Sequence, residues 1–316
     1  MTTVSGLEFT SRVVDVDGPV HYVDYGGPGD GPLLVAVHGL GGSHLNWAAV
    51  APHLVGRCRL LAVDLLGHGR TPAAGRRPDV DGHVALLDGF LRQVADRPVV
   101  VCGNSLGGLV AALCAAGSPD RVAGLVLIDP ALPTSRPGMV HPRVATNFVL
   151  CAVPGLGERY LAVRRARTTA EQSVRRVLGV ICVDPRRVPA DVVDDHVALT
   201  DDVDRALADQ AYLTSARSLS WTLARPGATV ARLEGIDRPV LHLHGDRDVL
   251  VTVGSARRMA AGRTRWDLQV ARDIGHAPML EAPVWTALRI GEWLDGRGTE
   301  ARDRSSRPTE PTPTVS

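Results

Sequence analysis

The stretch Val99-Val100-Val101-Cys102-Gly103-Asn104-Ser105-Leu106-Gly107-Gly108 constrains this chain more than any other. Its opening run is apolar and β-branched, the composition of a strand buried on both faces. The run stops at Gly-Asn-Ser-Leu-Gly. Small and apolar residues from Leu109 to Ala116 then predict a helix. Gly-x-Ser-x-Gly between a strand and a helix has the spacing of a nucleophile elbow. At the tip of so tight a turn, side chains flanking the serine would crowd the strand and the helix. Gly103 and Gly107 carry no Cβ and remove that crowding. Ser105 is then expected to stand exposed above the sheet edge. The N–H of Leu106, at the helix start, should point where negative charge gathers.

Read in order, the chain surrounds this stretch with a repeating pattern. Glu8–Val16 and Val20–Tyr25 alternate and meet at Asp17-Gly18, which predicts a hairpin. Pro32–Val37 reads as a buried strand ending in His38-Gly39-Leu40-Gly41-Gly42, and Cys58–Val63 as another ending in Asp64-Leu65-Leu66-Gly67-His68-Gly69. Val84, Leu87, Leu91 and Val94 recur three and four apart, the spacing of a helix. After the elbow comes Val122–Ile128, counted as the sixth strand, ending at Asp129-Pro130. Strands that alternate with helices form a parallel sheet covered on both faces. The fold class is therefore α/β, with a mostly parallel, doubly wound sheet.

From about Pro133 to Glu234 the alternation stops, and Arg-, Ala- and Asp-rich stretches with helical spacing are punctuated by Pro154, Pro185, Pro189 and Pro226. This predicts a helical insertion over 133–235 after the sixth strand, between two parts of one core, 1–132 and 236–295. Pro239–Leu243 resumes the sheet and ends at His244-Gly245-Asp246-Arg247-Asp248; Thr252–Ala261 reads as a helix. Trp266–Val270 is the last expected strand, followed by Asp273-Ile274-Gly275-His276. Pro283 opens a helix expected to end near Leu294, Pro being well suited to the first helical position. Residues 296–316, rich in Ser, Thr, Pro, Arg and Glu, are expected to be a disordered tail.

Composition narrows the function classes. The 316 residues can bury a full α/β core. A net charge of +1 gives no general affinity for nucleic acid or anionic membranes. No apolar stretch reaches spanning length, and the N-terminal residues lack a basic region followed by an apolar run. The five Cys show no metal-ligand spacing, and Cys102, Cys114, Cys151 and Cys182 lie in apolar runs as small buried hydrophobes. That favours a reducing, cytoplasmic setting. His242 and His244 alternate along a strand and read as packing groups, His38 as a brace and His68 as a loop-shaping residue, so no metal site and no cofactor are expected. Arg164, Arg165, Arg167, Arg175 and Arg176 read as a solvated face offset by nearby Asp residues. The expected partners are a small-molecule substrate and, at most, a second copy of the chain as a homodimer.

The loops after four strands each end in a residue that acyl transfer needs. In an open α/β sheet, ligands bind at the carboxyl ends of strands, so Leu40, Ser105, Asp248 and His276 should converge. With His-Gly at 38–39, Asp64-x-x-Gly-x-Gly, the elbow at 103–107, Gly-x-x-Asp at 245–248 and Gly-His at 275–276, the chain resembles an α/β-hydrolase of the serine esterase and lipase type with a helical cap. The resemblance covers about residues 8–132 and 236–294; no motif covers the cap. It implies Ser105 as nucleophile, His276 as base and Asp248 as the acid that orients it, in the chain order Ser, Asp, His. Asp246 and Asp129 are rivals for the acid. The backbone N–H groups of Leu40 and Leu106 would bind the oxyanion. Asn104 could contact substrate or hold the turn.

The implied reaction is cleavage of a carboxylic ester of an apolar small molecule through an acyl-enzyme. Ser105 argues against the relatives that use an Asp at the elbow to open epoxides or remove halides. Carbon–carbon bond hydrolysis of the meta-cleavage type is an alternative, because Gly103-Asn104-Ser105 resembles that elbow. Those enzymes, however, carry a Gly-Pro-Gly-rich oxyanion loop and a Trp just after the histidine. Here the stretches are Leu40-Gly41-Gly42-Ser43 and His276-Ala277-Pro278. Acyl transfer to another acceptor stays open, as does a non-catalytic binding protein on the same scaffold.

Overall fold

The computed structural model describes residues 2–4, 7–133 and 149–305. Nine strands form one sheet: β1 (Thr2–Val4), β2 (Leu7–Asp15), β3 (Pro19–Asp24), β4 (Leu33–Val37), β5 (Arg59–Val63), β6 (Val99–Asn104), β7 (Val122–Ile128), β8 (Val240–Gly245) and β9 (Trp266–Ala271). Their spatial order is β1-β2-β3-β5-β4-β6-β7-β8-β9. The first pairings, out to β3 with β5, are antiparallel, and all from β4 onward are parallel. The hairpin turns where expected, with Asp17 at φ 51 and Gly18 at φ 123. β1 has no counterpart in the sequence reading, because three residues are too few to show a period. The strand counted sixth from the sequence is therefore the seventh.

The central strands are apolar because both faces are covered, one of the layers including the short helix α1 (Ala51–Leu54). Successive side chains point to opposite faces. Val35, Val37, Val99, Val101, Leu125 and Leu127 pack under helices α2 (Val80–Val94) and α3 (Leu106–Gly117), against Leu87, Phe90, Leu106 and Leu109. Their neighbours Leu34, Ala36, Val100, Cys102, Val126 and Ile128 join the other layer, with Trp47, Met279 and Ile290. All five cysteines are buried and unpaired, as their apolar surroundings predict.

Between β7 and β8 the described chain is helical and holds no strand: α4 (Leu156–Arg167), α5 (Ala170–Ile181), α6 (Ala190–Asp202), α7 (Arg205–Ala224) and α8 (Pro226–Glu234). Local signals set the boundaries. Thr169 caps α5 by accepting the N–H of Gln172, whose side chain accepts the N–H of Thr169. Ala170, Val174 and Leu178, spaced four apart, form the buried face of α5. Val174, Leu178, Val188, Val192 and Val193 join the core layer that holds Met279 and Ile290. The Val177–Val183 run is thus split: Leu178 and Cys182 are buried, whereas Val177, Val180 and Val183 are exposed. Of the apolar run Val144–Val153, residues 144–148 lie outside the described residues.

Past β8 come α9 (Val253–Ala260), the short α10 (Pro278–Glu281) and α11 (Pro283–Ser305). The last helix runs beyond the end expected near Leu294, so the disordered tail expected from 296 is corrected as far as Ser305. Glu300, Ala301, Arg302 and Arg304 are sound helix formers and the first proline beyond is Pro308. Residues 306–316 lie outside the described residues.

Candidate active site

The elbow has the geometry its glycines predict. Ser105 sits at φ 55, ψ −118, a conformation L-residues rarely adopt. A Cβ on Gly103 would stand 2.3 Å from the carbonyl oxygen of Gly107, and one on Gly107 would stand 2.3 Å from that of Val37. The strand and the helix therefore cross at a distance only glycine allows. The strain is held by hydrogen bonds on both sides. Ser105 N–H donates to the carbonyl of Ile128 at 3.1 Å, and the Ser105 carbonyl accepts from Gly108, Leu109 and Ala131. Ser105 is partly exposed while Asn104 and Leu106 are buried.

The second and third loops cross in the same way. A Cβ on Gly245 would lie 2.0 Å from the carbonyl oxygen of Gly275, which explains both the Gly-x-x-Asp and the Gly-His motifs. The crossing brings His276 Nδ1 to 2.7 Å from Asp248 Oδ2. An ionised carboxylate only accepts, so Nδ1 carries the proton and Nε2 is left as the basic nitrogen. Asp248 Oδ1 accepts the N–H groups of Leu250 at 2.7 Å and Val251 at 3.0 Å. Burial alone raises the Asp248 carboxyl, but the charge and hydrogen bond of His276, with His244 and the Val251 N–H, bring it below its ordinary value.

Of the three candidate acids, Asp248 is the one bonded to His276. Asp246 is exposed and accepts the N–H of Asp273 at 2.7 Å, shaping the turn. Asp129 is wholly buried and accepts the N–H of Gly245 at 3.0 Å. Asn104 is fixed by the two loops on either side of it. Its Nδ2 donates to the carbonyls of Ile128 and His276, both at 3.1 Å. With both amide protons spent and the residue buried, Asn104 ties the elbow to the histidine loop.

The loop of Leu40 lies against the serine: a Cβ on Gly39 would be 3.1 Å from Ser105 Cβ. His38 braces this loop. Its Nδ1 donates to the Gly39 carbonyl at 2.7 Å, and its Nε2 accepts the N–H of Leu65 at 3.0 Å. That pattern needs a neutral ring. Burial, helped by the neighbouring His68, lowers its pKa to about 4. Gly39, next to Leu40, thus lies across this contact from Ser105, and Leu106 follows the serine along the chain.

The helices between β7 and β8 reach the same place. His276 N–H donates to the carbonyl of Ile181, the last residue of α5, at 2.7 Å. Tyr212 of α7 faces Gly41, where a Cβ would be 3.3 Å from its ring. Glu281 has no forerunner in the sequence reading. It is buried and accepts the N–H of Gly275 and that of Asp184, both at 2.8 Å. The signal was a lone acid in the apolar run Ala277-Pro278-Met279-Leu280. The Arg-rich stretch is tied locally: Arg165 pairs with Asp209 and Arg175 with Glu171.

The architecture and these crossing loops define an α/β hydrolase, and the comparison with known proteins agrees. A family model described as the alpha/beta hydrolase fold matches residues 32–283, and the chain belongs to that family. The chain is 32% identical over 287 residues to a pimeloyl-[acyl-carrier protein] methyl ester esterase of Aromatoleum aromaticum, covering 84% of this chain and 99% of that protein. It is 42% identical over 113 residues to the lipase LipV of Mycobacterium tuberculosis, but the match spans 36% of this chain and 42% of the lipase. The haloalkane dehalogenase DbeA of Bradyrhizobium elkani superposes with a TM-score of 0.79 over 93% of this chain and all of that one; at 18% identity the likeness is one of fold. No helix among the described residues is long and apolar enough to cross a membrane.

Proposed function

We propose that this hydrolase cleaves a carboxylic ester of an apolar small molecule through an acyl-enzyme on Ser105. The observation that carries the reading is the pairing of an elbow serine at φ 55 with a histidine whose Nδ1 is held 2.7 Å from Asp248. The esterase and lipase named among its relatives favour an ester over other substrates of the fold.

A serine hydroxyl is a weak nucleophile until a base takes its proton. His276 Nε2 is that base, because Nδ1 is committed to Asp248. As Ser105 Oγ bonds to the ester carbon, its proton passes to Nε2 and the carbonyl oxygen becomes an oxyanion. The N–H groups of Leu40 and Leu106 meet that charge. Imidazolium then protonates the departing alkoxide, leaving acyl-Ser105. Water attacks the acyl group with His276 again as base, which releases the acid. The helices of residues 149–234 act as a cap, with Tyr212 beside Gly41 and Ile181 beside His276.

The test is labelling with a fluorophosphonate followed by peptide mapping. The reading expects one adduct, on Ser105, abolished in Ser105→Ala together with hydrolysis of p-nitrophenyl esters. Esterase activity that survives in Ser105→Ala removes Ser105 from the mechanism.

A further inference from the structure

Asp129, just past β7, is a buried acid that the mechanism leaves unused. It sits at φ 43 with no solvent exposure. Its Oδ1 accepts the Gly245 N–H, but its Oδ2 has no hydrogen-bond partner among the described residues when the group is written as a carboxylate. β7 pairs directly with β8, Ile128 beside Leu243, so the loops leaving the two strands run side by side. Asp129, Asp248 and His276 each offer a polar atom within 4.8 Å of the other two.

Among the described residues no permanently charged cation pairs with Asp129 or Asp248 to keep two anions. His244 Nδ1 is 3.4 Å from Asp129 Oδ1, yet the ring donates from Nε2 to the Val251 carbonyl at 2.9 Å, and burial pushes its pKa down, against a second proton. His276 spends its Nδ1 proton on Asp248. Glu281, from α10, adds a further negative charge. The ion pairs of Asp129 and Asp248 among the described residues are all with histidines, none with arginine. Two carboxylates this close in a buried site do not both stay ionised. The charge goes to the one with more donors. Asp248 has the N–H groups of Leu250 and Val251 and the Nδ1 proton of His276; Asp129 has the N–H of Gly245.

We propose that Asp129 and Asp248 share one proton, carried on Asp129 Oδ2 and donated to Asp248, and that Asp129 is the reserve anion for His276 when Asp248 loses its charge. The unpartnered oxygen is then no longer unpartnered: what it lacks is the proton. Burial and the Asp248 charge both push the Asp129 carboxyl well above its ordinary value, in the same sense. Asp129 is a positioning residue here, acting on His276 through Asp248. The kinetic part of the inference rests on the serine hydrolase reading.

Two measurements on the full chain test it. Infrared difference spectra of wild type against Asp129→Asn at neutral pH should show the carbonyl band of a protonated carboxylic acid, lost in the variant. Finding carboxylate bands alone overturns the proposal. Kinetics on a p-nitrophenyl ester give the second readout. Asp248→Asn should cost about a hundredfold in kcat, short of the ~ten-thousand-fold typical when the triad acid is lost without a substitute. Asp129→Asn should cost less than about tenfold, since the amide still donates to Asp248. The double variant should fall by about ten-thousand-fold, beyond the product of the singles. Single effects that simply multiply overturn the reserve role. The infrared arm needs neither Asp248 variant nor turnover. A carboxylic acid band in an enzyme whose Ser105 resists fluorophosphonate therefore supports the proton pair while the serine reading fails.

Discussion

The Ser–His–Asp set we propose can be compared with a second one in the molecule, and the two differ in what surrounds the serine. In the first, the one we propose to react, Ser105 stands on the elbow and His276 is bonded to Asp248. In the second, Ser11 Oγ is 2.7 Å from His21 Nε2, and His21 Nδ1 is 2.7 Å from Asp64 Oδ2. By hydrogen-bond connectivity the second is the more complete. Yet Ser11 lies within β2, paired with Val23 in an antiparallel ladder, and it is not among the residues at positive φ. Among the described residues no helix starts beside it, so no helix N-terminus offers N–H groups to an oxyanion there. The acids differ too. Asp64 accepts from His21, from the N–H and ring of His44, and from the N–H of Arg70, at the junction of three chain segments. A Ser–His–Asp chain is easily formed in a folded protein; on the reading proposed above, the strained backbone around Ser105 is what makes one of them reactive.

The largest expected effect separates the two serines. Ser105→Ala should lower kcat on the order of a million-fold with Tm unchanged, because losing a partly exposed hydroxyl leaves no cavity. Ser11→Ala, an exposed strand position, should leave kcat/KM within about twofold. A fluorophosphonate adduct on Ser11 would break the comparison, since the flat strand would then suffice.

The acids should divide in the opposite way. Asp64→Ala removes a buried anion that several donors converge on, and should cost about 3–5 kcal/mol in stability, as when one partner of a buried pair is lost. Urea unfolding measures it. Burial raises the Asp64 carboxyl, but His44 and His21 lower it far more, so its contribution is present above its ordinary titration and lost as pH falls. If Asp64→Ala unfolds at the wild-type urea midpoint, Asp64 is not the structural counterpart of Asp248.

Buried histidines give a further effect, common to both halves. His38 and His242 are held neutral by burial, at about 4 and about 3. The unfolded chain takes up these protons near pH 6.5 while the folded one refuses them until lower pH. Their stabilisation is therefore whole above about pH 6.5 and is lost as pH falls toward 4. Tm should drop over that window in Ser105→Ala as in wild type. A Tm flat between pH 7 and pH 5 would contradict the neutral-ring assignment of His38.

The comparison also separates what the sequence made legible from what it did not. The parallel strands were readable because burial on both faces writes β-branched runs, and the elbow because its glycines have no substitute at 2.3 Å from a carbonyl. Chain order placed Ser105, Asp248 and His276 on one edge of the sheet. Lateral placement was not readable. Nothing in spacing says that β7 lies beside β8, and that adjacency sets Asp129 next to Asp248. Periodicity gives α5 a buried face but not its end at Ile181 against His276. The role of Asn104 turned on which carbonyls lay within 3.1 Å, a fact of three dimensions.

The smallest expected effect concerns the acyl chain, and it tests whether the side of the sheet that holds Ser105 is a binding slot as well as a reaction site. Val177, Val180 and Val183 are exposed on the helical segment, so the Val177–Val183 run contributes little lining. We propose that the lining comes instead from the loop of Leu40, braced by His38 and lying against Ser105 at Gly39, and from Tyr212, which faces Gly41 of the same loop. An apolar wall with few polar groups suits an acyl chain better than a sugar. Each methylene buried there contributes about 0.8 kcal/mol, or roughly fourfold in kcat/KM if felt in the transition state. For p-nitrophenyl esters kcat/KM should therefore rise from acetate through butyrate or hexanoate. Tyr212→Ala should flatten that rise while leaving the acetate rate within about threefold, because acetate is too short to gain from the wall. A steady fall from acetate onward would mean that the slot is closed, with Tyr212 serving only to pack α7 against the loop of Gly41.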